Sequence, residues 1–112
     1  MKKILVVDDN QQNLYFLKVL LSANGFDVEM ASNGEEALSL ARQSPPYMIV
    51  SDILMPVMDG YALCKVWRED VMLKNIPFIF YSATYTEQKD QDFALKLGAD
   101  RFIIKPVEPD TF

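Results

Sequence analysis

Tyr47-Met-Ile-Val-Ser-Asp52-Ile-Leu-Met-Pro-Val-Met-Asp-Gly60 is the stretch on which the reading of this chain turns. Met48, Ile49, Val50 and Ser51 form a short apolar or small run that Pro56, Asp59 and Gly60 forbid to continue, so the run is a strand carrying one carboxylate, Asp52, at its carboxyl end. An acid in that place is seldom there for packing. In a parallel sheet the crevice outside the carboxyl ends of the strands is where ligands and chemistry collect, which makes Asp52 the first candidate for an active group.

Outward from this stretch the chain keeps one pattern. Ile4-Leu-Val-Val7 is a β-branched-rich run ending at Asp8-Asp9-Asn10, the mark of a strand covered on both faces. Asn10 can cap the next helix, in which Leu14, Leu17, Leu20 and Leu21 recur at helical spacing before Asn24-Gly25 stops it. Residues 26–31 alternate as a second, shorter strand, and Asn33-Gly-Glu-Glu36 opens a helix with Ala37, Leu38, Leu40 and Ala41 that ends before Pro45-Pro46. Beyond the Asp52 strand, Asp59 caps a helix carrying Leu63, Val66 and Trp67, and residues 76–81 form a fourth strand closing on Ser82-Ala83-Thr84. A more polar helix is predicted over roughly 87–97, with Phe93, Ala94 and Leu97 inward and Gly98 as its stop. Arg101-Phe-Ile-Ile104 is the fifth strand and runs into Lys105-Pro106. This alternation, free of repeats and linkers, predicts one α/β domain over 1–112 with a doubly wound five-stranded parallel sheet. Glu108-Pro-Asp-Thr-Phe112 reads as the first turn of a fifth helix, so that helix is expected to be truncated or missing.

Composition narrows the chemistry. With 112 residues the chain suits one domain, and 11 basic against 16 acidic side chains give a formal charge of −5, which disfavours nucleic acid and anionic membrane and favours cations. Histidine is absent, which removes imidazole catalysis and imidazole metal sites, and the single Cys64 allows neither an internal disulfide nor a zinc cluster. Any metal must be held by oxygen, pointing to Mg²⁺, Mn²⁺ or Ca²⁺. The apolar run after Lys2-Lys3 stops at Asp8, too short for an export signal or a membrane span, so a reducing, cytoplasmic setting is the expectation.

The ends of strands one, three, four and five are Asp8-Asp9, Asp52, Ser82 and Lys105, and parallel strands put them along one edge of the sheet. Carboxylates gathered there repel unless a divalent cation or a cationic side chain intervenes. Mg²⁺ accepts carboxylates and a phosphate oxygen, Lys105 is a compact charge suited to a phosphoryl group, Ser82 offers a hydroxyl, and Asp52 can act as nucleophile to give an aspartyl phosphate.

These residues resemble the receiver domain of two-component response regulators. The resemblance is carried by Asp8-Asp9, by Asp52 with Met55-Pro56 and Asp59-Gly60, by Ser82-Ala83, by Gly98-Ala-Asp100 and by Lys105-Pro106, five motifs in order. It implies the CheY-like, flavodoxin-like strand order 2-1-3-4-5 with helices on both faces. It also implies that Asp52 is the phosphoacceptor, and that Asp8 and Asp9 organise Mg²⁺ together with Asp52 and the Leu54 backbone carbonyl. Ser82 and Phe102 then form the switch, Lys105 pairs with the phosphoryl group, and the Lys105-Pro106 bond is cis. Leu54 and Thr84 fall where the family modulates dephosphorylation, and an apolar Leu54 offers no grip on water. The implied partner is a sensor histidine kinase or histidine phosphotransfer domain, with an effector domain in a longer chain and a homodimer as further expectations. The implied role is a signalling switch, not a metabolic enzyme. A phosphohydrolase would want a second acid where Leu54 stands, a pure interaction module would not need the full Asp-Asp-Ser-Lys set, and a dinucleotide binder would need a glycine-rich turn after the first strand.

Overall fold

In the computed structural model, which describes residues 2–83 and 87–105, five strands alternate with four helices. The strands are β1 (Lys3–Val7), β2 (Asp27–Ala31), β3 (Met48–Ser51), β4 (Phe78–Ser82) and β5 (Arg101–Ile104); the helices are α1 (Gln11–Ala23), α2 (Gly34–Gln43), α3 (Gly60–Glu69) and α4 (Gln88–Leu97). Every strand pair is parallel and the order is β2-β1-β3-β4-β5. The doubly wound sheet and its expected strand order are thus found.

Successive strand residues point to opposite faces, and here both faces are covered. Leu5, Val7, Ile49, Phe78 and Phe80 pack with Ala37, Leu38, Leu63, Trp67 and Ala94 from α2, α3 and α4. Ile4, Val6, Val50, Ile79 and Tyr81 pack with Leu14, Leu17 and Leu21 from α1. That is why the strands read as continuous apolar runs. Fully burying one such Leu, Ile or Phe contributes about 1.5–3 kcal/mol relative to leaving it exposed, so the two faces together carry most of the drive to fold. A cavity of about 390 Å³ lies on the α1 face, lined in part by Leu21, Phe26, Met48 and Ile103.

The helix starts follow the caps. The Asn10 side chain accepts from the Gln12 and Asn13 N–H groups, Asn33 from Glu36 and Asp59 from Ala62. Three details differ from the sequence reading. β4 begins at Phe78 because Pro77 has no N–H and the Ile76 N–H turns back to the Leu73 carbonyl at 2.9 Å. Phe26 lies outside β2, its N–H closing the end of α1 on the Leu21 carbonyl at 3.1 Å. Phe93, expected on the inner face of α4, is 50% exposed and meets the edge of Tyr61 instead, with ring centroids 4.9 Å apart. Thr84, the Lys105-Pro106 peptide and the expected fifth helix lie outside the described residues. Among the described residues no helix is long and apolar enough to cross a membrane.

Candidate functional site

Register brings the acids together. β1 pairs with β3 so that Val7 stands opposite Ser51, and the Asp52 N–H donates to the Val7 carbonyl at 2.9 Å. Asp8 and Asp52 are therefore each one residue past the same rung of the ladder. On the other side β4 pairs with β5 so that Ser82 stands opposite Ile104, and the Lys105 N–H donates to the Ser82 carbonyl at 2.9 Å. Side-chain oxygens of Asp8, Asp9 and Asp52 all lie within 4.8 Å of one another.

Burial and charge sharpen this cluster. Asp8 is 2% exposed and Asp52 partly buried, while Asp9 is open to solvent. Two unit charges 4.8 Å apart repel by about 3.5 kcal/mol at an effective dielectric of about 20. Lys105 Nζ answers them, lying 2.7 Å from Asp8 Oδ2 and 3.4 Å from Asp52 Oδ2, on a side chain that is itself 10% exposed. The ring of Tyr81 adds a face to the same ammonium, 5.2 Å from its centroid. The three-acid donor set, hard oxygen throughout and already in need of a positive charge, fits Mg²⁺ or Mn²⁺.

The loop after Asp52 is held as tightly as the strand before it. Asp52 Oδ1 accepts from the Ile53 N–H at 2.7 Å, and the Gly60 N–H donates to the Ile53 carbonyl at 2.7 Å. A Cβ on Gly60 would fall 2.2 Å from the Asp52 carbonyl oxygen and 2.8 Å from the Ile53 Cα, so only glycine lets α3 start here. Between them Val57 adopts φ 69°, and the Met58 N–H closes on the Pro56 carbonyl at 2.7 Å, a three-residue γ-turn. Leu54, two residues after Asp52, is 57% exposed and presents an apolar side chain to solvent.

Ser82 is buried at the end of β4, and Phe102 packs against the β4 core with its ring 6.1 Å from that of Phe80. The structure thus collects Asp8, Asp9, Asp52 and Lys105 into one contact group and sets Ser82 and Phe102 on the two strands beside it.

Two residues went unnoticed in the sequence. Asn13 donates its side-chain amide to Asp8 Oδ2 at 3.1 Å. Arg68 binds the Gly98, Lys74 and Ile76 carbonyls at 2.6, 2.7 and 2.9 Å and the Asp100 carboxylate at 2.6 Å, joining the end of α3 to the corner between α4 and β5. For Asn13 a signal existed, an amide in the first turn of a helix just after an acid pair; for Arg68, whose partners are mostly distant carbonyls, none did.

Comparison with known proteins agrees with this geometry. The family model described as response regulator receiver domain matches residues 4–112. The alkaline phosphatase synthesis transcriptional regulatory protein PhoP of Bacillus subtilis is 40% identical over 108 residues, which make up 96% of this chain and 44% of that protein. The probable transcriptional regulator ycf27 of Porphyridium aerugineum is 39% identical over 108 residues, 96% of this chain and 43% of that protein. The chain therefore spans less than half the length of these relatives. Among solved structures, the signal receiver domain of a signal transduction histidine kinase from Syntrophus aciditrophicus superposes with a TM-score of 0.90 at 36% identity, covering 99% of this chain and 83% of that one. Chemotaxis protein CheY4 of Vibrio cholerae gives 0.92 at 32% identity, covering 99% and 92%. With the motif order, the 2-1-3-4-5 sheet and the family match over nearly its whole length, the chain belongs to the response regulator receiver domains of two-component signalling.

Proposed function

We propose that the chain is a phospho-accepting switch in which Asp52 takes a phosphoryl group from a phosphohistidine on a sensor kinase or phosphotransfer domain. The observation that carries this reading is the set of three carboxylates within 4.8 Å, with Lys105 Nζ at 2.7 and 3.4 Å from two of them, at the carboxyl edge of a parallel sheet. Asp8, Asp9 and Asp52, with the Leu54 carbonyl, would hold Mg²⁺ or Mn²⁺, which when bound supplies positive charge to the phosphoryl oxygens. A lone pair of an Asp52 oxygen forms the new O–P bond while the P–N bond breaks and its electrons return to the imidazole nitrogen. Lys105 turns from Asp8 to a phosphoryl oxygen and neutralises part of its charge, and the hydroxyl of Ser82 donates to another. Phe102 beside Phe80 then shifts with β4 and β5, altering the outer surface of α4 and β5. Kinase, chain and phosphoryl transfer would meet in the cytoplasm. Two relatives are named as transcriptional regulators and a structural neighbour as part of a histidine kinase, so the output would lie in an effector or relay domain linked to this one.

Incubation with Mg²⁺ and acetyl phosphate or phosphoramidate, followed by intact mass, tests the assignment. One added phosphoryl group is expected on the wild-type chain and none on Asp52→Ala. Equal labelling of both, or none of either, would sink it.

A further inference from the structure

The first turn of α1 holds a residue whose chemistry suits the cluster better than it suits the helix. Asn10 is the N-cap, so Asn13 occupies the third helical position, where an acid most often reaches back to the cap. Helix N-termini favour acids, yet the first turn of α1 contains none. Asn13 instead donates Nδ2 to Asp8 Oδ2 at 3.1 Å. The amide oxygen turned to that carboxylate would repel it, which fixes the end that faces Asp8. The remaining partners of the Asp8 carboxylate in the described residues are the Asn10 N–H on Oδ1 at 3.0 Å and Lys105 Nζ on Oδ2 at 2.7 Å.

Resting on the function proposed above, we infer that Asn13 is a positioning residue for the divalent-cation site, holding the Asp8 carboxylate through a neutral donor. Oδ2 carries one charged and one uncharged partner, and these behave differently when a cation arrives. The ammonium of Lys105 and a divalent ion repel each other at this range, so one leaves as the other binds. The amide carries no net charge and stays, keeping the Asp8 side chain from rotating when Lys105 turns to the phosphoryl group. An acid at position 13 would add a fourth negative charge to the cluster, and an alkyl group would leave Asp8 with no side-chain donor once Lys105 moves. Groups that hydrogen-bond metal-binding carboxylates from behind change affinity by about 10–100-fold when removed.

The test is a Mg²⁺ titration of wild type, Asn13→Ala and Gln12→Ala, read by calorimetry and by the amide resonances of Asp52 and Ile53. Acetyl phosphate labelling across Mg²⁺ concentrations accompanies it. Asn13→Ala is expected to bind Mg²⁺ on the order of 10-fold more weakly while its labelling rate at saturating Mg²⁺ stays within about two-fold of wild type. Gln12, exposed on the same turn, is expected to change neither. A dissociation constant within about two-fold of wild type in Asn13→Ala overturns the inference, as does a rate deficit that survives saturation. Wild type that binds no Mg²⁺ overturns the receiver chemistry itself, an outcome distinct from wild type and Asn13→Ala binding it equally.

Discussion

Replacing Lys105 by Met keeps the length of the side chain and removes the charge on which the metal-free site depends. Lys105 Nζ lies 2.7 Å from Asp8 Oδ2 and 3.4 Å from Asp52 Oδ2. At an effective dielectric of about 20 those contacts amount to about 6 and about 5 kcal/mol of gross attraction. Much of this is offset by the cost of desolvating the ions, so the net loss falls toward the ~3–5 kcal/mol typical of removing one partner from a buried pair. Asp8 at 2% exposure cannot recover that loss by turning into water. For a chain of 112 residues each kcal/mol corresponds to about 4 °C in melting temperature, so Lys105→Met is expected to melt roughly 12–20 °C lower in EDTA.

Mg²⁺ should raise the melting temperature of Lys105→Met more than that of wild type. In wild type the ion must displace Lys105 from Asp8; in Lys105→Met it meets three uncompensated carboxylates and binds more tightly. At 100 times its dissociation constant a ligand adds about 2.7 kcal/mol to stability, so Mg²⁺ restores most of what the substitution removes. Thermal unfolding by circular dichroism with EDTA and then across a Mg²⁺ series reads both effects. Equal melting temperatures in EDTA, or an equal rise in both proteins with Mg²⁺, would refute the view that Lys105 is the resting counter-ion of this cluster.

Further outcomes follow from three parts of the molecule away from that pair. Val57 is a β-branched residue at φ 69° and is 74% exposed, so Val57→Asn relieves backbone strain without emptying the core and should raise unfolding free energy by about 1 kcal/mol; a lower urea midpoint would contradict this. Arg68→Lys loses the fork that spans three carbonyls and Asp100, with an expected cost on the order of 2 kcal/mol and faster amide exchange at 98–101; unchanged exchange there would mean that α4 is anchored by other contacts. Burial pushes the Cys64 thiol up from 9.0 to about 11, against a lowering by Arg68 and with a smaller rise from Asp100, so the native chain should resist a thiol reagent at pH 8 until it unfolds. Because the folded value is the raised one, the associated stability is present below about 9.0 and is lost as pH climbs through about 11; Cys64→Ala should flatten that part of the stability profile.

How far the sequence could be read depended on whether a residue's partners are close in the pattern of the chain. Asp8, Asp52, Ser82 and Lys105 were legible because each ends an apolar strand. Parallel pairing of Val7 with Ser51 and of Ser82 with Ile104 turns four separate strand ends into one edge. Gly60 was legible as a stop signal, although the need for it comes from the Asp52 carbonyl, which lies where a Cβ would sit. Sequence pattern starts β4 two residues early because Ile76 continues the apolar run while its N–H is spent on a turn, a use that hydrophobicity does not report. Helical spacing alone turns Phe93 inward with Ala94 and Leu97, yet among the described residues of α4 only Ala94 is buried and Leu97 packs partly buried against the core. Spacing defines a face of a helix and leaves open how deeply that face sits; on α4, Ala94 takes the deep position and Phe93 leans on Tyr61 at the rim. The same physics separates the two halves of a switch. The residues of the proposed chemistry are fixed by strand ends and ladder bonds, so sequence pattern finds them. The helix proposed to carry the output, α4, rests on the buried Ala94, on Leu97 packed against the core, on an aromatic edge contact and on the grip of Arg68 on Gly98, and the partners of these last two lie too far along the chain to leave a pattern.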